Sequence, residues 1–342
     1  MASIVKHYFL KASQVVGYSK LYNFSLWFIF AGALLGFALA RLQYLHAGTY
    51  AKGAVPGEWY YAHAGRDRVG IFLHLGTILP CAILVVFQFV PRIRQRCVIF
   101  HRTNGYIVIF LLLASNAGAL MIMDHAFGGG MDVQTWVVTL VVACTLSVGM
   151  AWWNIRRLQI EQHRAWMLRT MFYMGCIITT RLILVILAVA VTRSSSPRYG
   201  VWPCGKIRFT YQQQHVSDDV DALLKQRYPD CAFTTAANLS STFTPISASL
   251  FAEDPARNGV AFNLSFGAAA WVAFFLHLVG VEVYLRLTPR EAERLRMVSY
   301  ERQFAAGYKN PGSAGLVVER WGDAKAWGGQ GRLPLEDSPF AR

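Results

Sequence analysis

Charge is scarce in this chain. Of 342 residues only 15% are Asp, Glu, Lys or Arg, while 54% are apolar; a soluble domain carries about 25% charged residues. Acid is scarcest, with 19 Asp and Glu against 33 Lys and Arg and a net charge of +14. No phosphate-cradling glycine loop, nucleophile elbow or zinc-protease helix is present, which sets aside the enzyme classes built on those motifs. No internal repeat and no long low-complexity stretch occurs, which argues against a solenoid. The basic residues sit between apolar blocks and in the terminal segments. That placement reads as topology plus attraction to anionic lipid, not as a nucleic-acid surface.

What the chain does have is long apolar runs. A spanning helix needs about 20 mostly apolar residues. Six segments meet this: Tyr22–Leu42, Val69–Val90, Gly105–Met123, Thr135–Trp153, Met167–Val191 and Phe262–Leu285. The expected fold is therefore all-α, a polytopic integral membrane helix bundle of about six spans. Its expected parts are an N-terminal segment (1–21), five spans (22–191), a long loop (192–261), a sixth span (262–287) and a tail (288–342). Pro80 is expected to kink the second span. Ala38-Leu39-Ala40 resembles a signal-peptidase site, but the preceding apolar stretch is long for a signal, so a retained span is expected.

Loop charge sets the orientation. Lys6, Lys11 and Lys20 precede span one. Arg92, Arg94, Arg96 and Arg102 follow span two, and Arg156, Arg157 and Arg164 follow span four. The loop after span three has Asp124 and Asp132 and no Lys or Arg. Positive loops stay in the cytosol, so both termini are expected there and the 192–261 loop on the lumenal or extracellular side. Cys204 and Cys231 are the only cysteines of that loop, and a disulfide is permitted in such a compartment. Asn238-Leu239-Ser240 fits a glycosylation acceptor. Cys81, Cys97, Cys144 and Cys176 show no metal spacing and read as packing residues. In the tail, Thr288-Pro289-Arg290-Glu291 predicts a capped helix running to about Ala305, basic enough to lie on an anionic leaflet.

Ionisable groups inside spans are costly and usually face the protein interior. His74 and His125 fall near the lumenal face, His101 and His163 near the cytosolic face. His101 and His125 are separated by about 36 Å of helix. Two stacked pairs, His74 with His125 and His101 with His163, suit axial ligation of haem b, with Arg102, Arg164, Arg169 and Arg181 placed to pair with propionates. The arrangement has a general likeness to four-helix di-haem cytochromes of the b-561 kind. Each histidine also has a structural reading, bonding backbone or anchoring at headgroups. Arg181, mid-span, needs a partner in any case. Asn116 suits interhelical bonding. His277 and Glu282 lie about 140° apart around one helix and need not share a partner. A zinc site from His46, His63, His74 and His125 has no tight spacing behind it, and no metal site is expected. Gly128-Gly129-Gly130 reads as a flexible turn.

The segment His163-Arg164-Ala165-Trp166-Met167-Leu168-Arg169 resembles the His-Arg-x-Trp-Met-x-Arg signature of a membrane family known as domain of unknown function 2306. His74, the loop ending His101-Arg102-x-x-Gly105, and Arg181 extend the resemblance over roughly residues 65–190. Val281 to Pro289 and Asn310-Pro311-Gly312-Ser313-Ala314-Gly315 resemble its fungal branch. The resemblance implies a fungal multi-span protein, with relatives loosely labelled microtubule-associated or encoded beside secondary-metabolite enzymes. It carries over His74, His101, Arg102, His163, Arg164 and Arg169 without assigning them roles.

Three readings follow. One is a bis-histidine haem oxidoreductase passing electrons across the membrane. Another is a cofactor-free membrane enzyme acting on a lipid or secondary metabolite, with His125 and Asp124 supplying acid–base chemistry. The third is a transporter or organising protein with Arg181 and Asn116 along a polar path, for which the missing repeat is unfavourable.

Overall fold

The computed structural model describes residues 2–18, 20–232 and 238–327. It is an all-α polytopic membrane protein, with six helices long and apolar enough to cross a bilayer. Helix α1 (Ala2–Val16) precedes the first span α2 (Leu21–Arg41). Short helices α3 (Ala47–Gly53) and α4 (Trp59–Ala62) lead to α5 (Gly65–Gln88). Next come α6 (Pro91–Arg96), α7 (Val98–Ile122), α8 (Met131–Arg156) and α9 (Ile160–Thr192). The segment expected as a plain loop is folded: β1 (Tyr199–Pro203), α10 (Cys204–Gln213), α11 (Val220–Arg227) and β2 (Phe243–Ser247). The last span, α12 (Pro255–Leu287), is followed by α13 (Pro289–Ala305) and α14 (Val318–Trp321). Helices α9 and α12 each run 33 residues, longer than hydropathy predicts, because their polar ends continue the helix past the apolar run.

The chain divides into two units: Met1–Val138 with Ile177–Ala273, and Thr139–Cys176 with Phe274–Arg342.

In the first unit, α5 and α7 pack antiparallel along a seam of small and polar groups. Gly118 faces Gly70, and a Cβ on Gly118 would lie 2.7 Å from the Gly70 carbonyl oxygen. Small residues allow this backbone approach, which is how membrane helices gain packing without a hydrophobic drive. Along the seam the Asn104 amide donates to the Leu84 carbonyl at 3.0 Å and the Gln88 amide to the His101 carbonyl at 3.2 Å. Pro80 stays inside one continuous α5. Cys81, Cys144 and Cys176 are buried as read, but Cys97 is exposed, because it ends the basic loop just before α7.

The extramembrane segment has its own core. Strands β1 and β2 pair antiparallel, Tyr199 opposite Ser247 and Pro203 opposite Phe243. Trp202, Ile207, Tyr211, Leu224, Ile246 and Val260 are buried together, each large side chain contributing about 2 kcal/mol. The Cys204–Cys231 disulfide forms, with Cα atoms 5.7 Å apart. The Asp219 carboxylate caps α11 by accepting from the Ala222 N–H at 2.9 Å.

In the second unit the tail is docked. Gln159 lies in the α8–α9 turn. Its side-chain oxygen accepts from the Gln303 amide at 2.9 Å and the Gly315 N–H at 2.8 Å, while its nitrogen donates to the Gly312 carbonyl at 2.8 Å. The Ser299 hydroxyl donates to Glu161 at 2.6 Å. A Cβ on Gly315 would lie 2.5 Å from Asn154 and Gln159 atoms, so only glycine fits there. Within the Asn310 to Gly315 segment, Gly312, Ala314 and Gly315 are buried at this docking contact, while Asn310 is exposed. Helix α13 starts as expected, but the capping box does not form. The Thr288 hydroxyl turns back to the Tyr284 carbonyl at 3.1 Å, and Glu291 pairs with Arg294 at 2.8 Å. One face of α13 buries Leu295, Ser299 and Gln303, while Arg290, Arg294 and Arg302 stay exposed.

Candidate functional site

A polar cluster forms in the first unit where the α2–α5 connection, the α7–α8 turn and the folded extramembrane segment meet. Glu58 enters it from the turn before α4. Gly57 has φ +86°, and a Cβ there would lie 2.5 Å from the Trp202 ring and 2.6 Å from Lys206. Glycine is therefore required twice over, for the left-handed backbone and for the close approach. The Glu58 carboxylate accepts from the Phe127 N–H at 2.9 Å and from the Asn263 amide at 3.3 Å. Asn263 is held in turn by the Trp202 indole N–H at 3.1 Å.

Lys206 is 2% exposed. Its ammonium lies 4.1 Å from the Trp202 ring centre and 5.3 Å from that of Tyr61. Burial pushes the Lys206 pKa down, against the pull of Glu58. Burial likewise pushes Glu58 above the usual carboxylate range, opposed by Lys206, the two hydrogen bonds and Arg181. The pair sits in a setting that lowers the cost of moving a proton. Burial also raises the Tyr50 and Tyr61 phenols, so both stay protonated donors.

The glycine turn is shaped rather than merely flexible. Phe127 has φ +48°, followed by Gly128 at +87° and Gly129 at +63°. A non-glycine residue in that region is uncommon and costs free energy. In that conformation its N–H meets Glu58 and its ring stacks on Phe266 at 3.8 Å. The Arg181 guanidinium lies over both rings, 4.9 Å from Phe127 and 5.6 Å from Phe266.

At the cluster's edge His125 bonds Asp67 at 2.9 Å, not its neighbour Asp124. Asp124 pairs with Arg66 at 2.5 Å. His125 and Asp124, read together as an acid–base set, thus each bond a residue of α5. The His125 ring stacks on Tyr61 at 4.0 Å.

His74 bonds Ser115 on α7, through the hydroxyl at 2.9 Å and the carbonyl at 3.1 Å. The levels of Asp67 and His74 differ by about 10 Å along α5. Gly118 lies between, and a Cβ there would sit 2.6 Å from the His74 backbone nitrogen. Helices α5 and α7 are thus in backbone contact between the levels of the two histidines. His101 is half-buried and Arg102 exposed in the first unit. In the second unit His163 bonds the Ala151 carbonyl at 3.0 Å. Arg164 reaches the Thr288 hydroxyl at 3.5 Å. Arg169 forms a two-point pair with Glu282 at 2.6 and 3.1 Å. His277 bonds the Phe172 carbonyl at 2.7 Å, apart from Glu282. His46 caps α3 and His63 meets the Tyr60 carbonyl at 2.7 Å, so the four histidines of the zinc grouping take separate partners. Asn116 is buried on α7.

Glu58, Lys206 and Asn263 were missed in the sequence. One signal was available: Glu58 is the first acidic residue of the chain and follows Pro56-Gly57.

Residues 71–205 match the model of a family described as predicted membrane protein (DUF2306). The match runs from α5 into α10 and includes Lys206's neighbour Gly205, but stops short of Glu58 on one side and Asn263 on the other. The chain is also similar to "Ava biosynthesis cluster protein G" of Aspergillus versicolor. That similarity is 21% identity over 319 residues, covering 79% of this chain and 90% of the relative. No solved structure matches.

Proposed function

We propose that this protein is a cofactor-free membrane enzyme that moves a proton on an apolar secondary metabolite, with Glu58 giving and taking it. The observation that carries the reading is the half-buried Glu58 carboxyl, held by the Phe127 N–H and the Asn263 amide near the buried Lys206, with its pKa raised by desolvation. A general acid works best with a pKa near the working pH. Glu58 in its acid form donates a proton to one substrate atom. The resulting carboxylate then removes a proton from another, so the net change is an isomerisation that needs no co-reactant. The aromatic walls of Trp202, Phe127, Phe266 and Tyr61 suit an apolar substrate. The relative named for a biosynthesis cluster supports a metabolite over a structural lipid.

The basic loops and the disulfide support cytosolic termini and a lumenal or extracellular Glu58 face. Asn238 is exposed on that same segment, open to glycosylation in this orientation.

The test uses microsomes from fungal cells expressing the wild-type chain, fed an extract of a culture lacking this gene. Wild type should convert one accumulated metabolite and, in D2O, place deuterium in the product. Glu58→Gln should cut the rate by about 100-fold or more, with Glu58→Asp retaining part. Unchanged conversion by Glu58→Gln would sink the reading.

A further inference from the structure

We infer that Arg181 is the binding group for an oxyanion carried on an apolar molecule, a carboxylate being the class that fits best. A guanidinium has five donors and no acceptor. The Arg181 Nε is buried and has no hydrogen-bond partner. Among the described residues, no carboxylate lies within ion-pair distance of Arg181. Its company is the two stacked faces of Phe127 and Phe266. Ring faces hold a cation in place without neutralising it.

Charge points the same way. Glu58 and Lys206 balance each other whether the proton sits on one or the other. Arg181 is then the surplus cation of the cluster, and the field of Arg41 adds to the excess. A monoanion offsets it, and a carboxylate matches the guanidinium fork with two parallel hydrogen bonds. Arg181 lies well inside α9, a membrane-spanning helix, so the anion arrives attached to an apolar body. The platform beneath Arg181 is also specifically built: Phe127 holds a left-handed backbone that its own hydrogen bond to Glu58 secures. Calling the ligand a substrate rests on the Glu58 reading, whereas the binding site itself does not.

The experiment is equilibrium binding of radiolabelled palmitate to the full chain in phosphatidylcholine nanodiscs. Palmitamide and phosphatidic acid serve as competitors. Wild type should bind palmitate saturably, and palmitamide should compete at least tenfold more weakly, because it keeps the chain and loses the charge. Arg181→Gln should weaken palmitate at least tenfold, with Arg181→Lys between. The wild-type comparison of acid with amide needs no variant to fold. Equal competition by the amide, no saturable binding, or full affinity in Arg181→Gln would each overturn the inference. Competition by phosphatidic acid equal to that by palmitate supports the oxyanion site and assigns it to a lipid headgroup. Turnover that survives without palmitate binding removes this inference alone. Binding without any turnover removes the Glu58 reading and leaves the site.

Discussion

Arg169 and Arg181 lie twelve residues apart on one helix, and their surroundings are opposite. Arg169 has a carboxylate, Glu282, that takes both arms of its fork, with the Trp166 ring 4.6 Å away. Arg181 has ring faces and an Nε with no acceptor. A charge in a span is costly unless it is paired. One arginine therefore has its cost offset within the fold and serves structure. The other leaves the cost standing, as binding sites do, since stability is traded there for an interaction made only with a ligand.

The comparison is broken most strongly at the disulfide. Cys204–Cys231 closes a separation of 27 residues, worth about 3.5 kcal/mol in the chain-entropy model. Cys204→Ser with Cys231→Ser should lower the melting temperature and open residues 199–247 to protease. It should also abolish any Glu58-dependent turnover, because Lys206 sits two residues from Cys204. The Arg169–Glu282 pair should be untouched. A double variant that melts and cleaves like wild type would contradict this.

The arginines themselves give the sharper contrast. Arg169→Leu should destabilise by about 2 kcal/mol, the scale of lost hydrogen bonds to a charged group. Combining it with Glu282→Leu should recover much of that, since the stranded carboxylate goes too. Arg181→Leu should instead stabilise by about 1 kcal/mol, having no partner to strand. Thermal melting of the four proteins decides it, and equal losses at 169 and 181 would erase the distinction drawn between them.

The smallest effect is in pH. Burial raises the Glu58 pKa, so the folded protein holds that proton more tightly than the unfolded chain does. Its contribution to stability is present in acid and is lost as pH rises through the raised value. Lys206, with a lowered pKa, has the opposite sense: its contribution is lost as pH falls through the depressed value. Glu58→Gln should flatten the decline of melting temperature with pH just above the ordinary carboxylate range. An unchanged slope would show that Glu58 does not titrate there.

Most of the architecture was legible in the sequence, because lipid forces it. The six apolar runs all become helices long and apolar enough to cross a bilayer. The cysteine pair was legible as well, being the only one in its loop. The site was legible only at Arg181, the one ion whose cost was visible without a partner. Glu58 and Lys206 stood in loops, where charge is ordinary, and no periodicity announces that a turn will fold inward. Asn263 lay within the apolar run Phe262–Leu285, and nothing in the sequence singled it out. The bonding of the histidines was not legible either: His74, His125, His163 and His277 each bond backbone, hydroxyl or carboxylate groups remote in sequence.

Hydropathy alone thus determined that this is a membrane protein with six helices long and apolar enough to cross a bilayer, since that follows from transfer free energies summed along each segment. Which charges are satisfied was decided only by tertiary structure. Glu282 meets Arg169 across 113 residues, and Phe127 meets Glu58 across 69. Pairing depends on distance in space, and an extended sequence does not contain that distance.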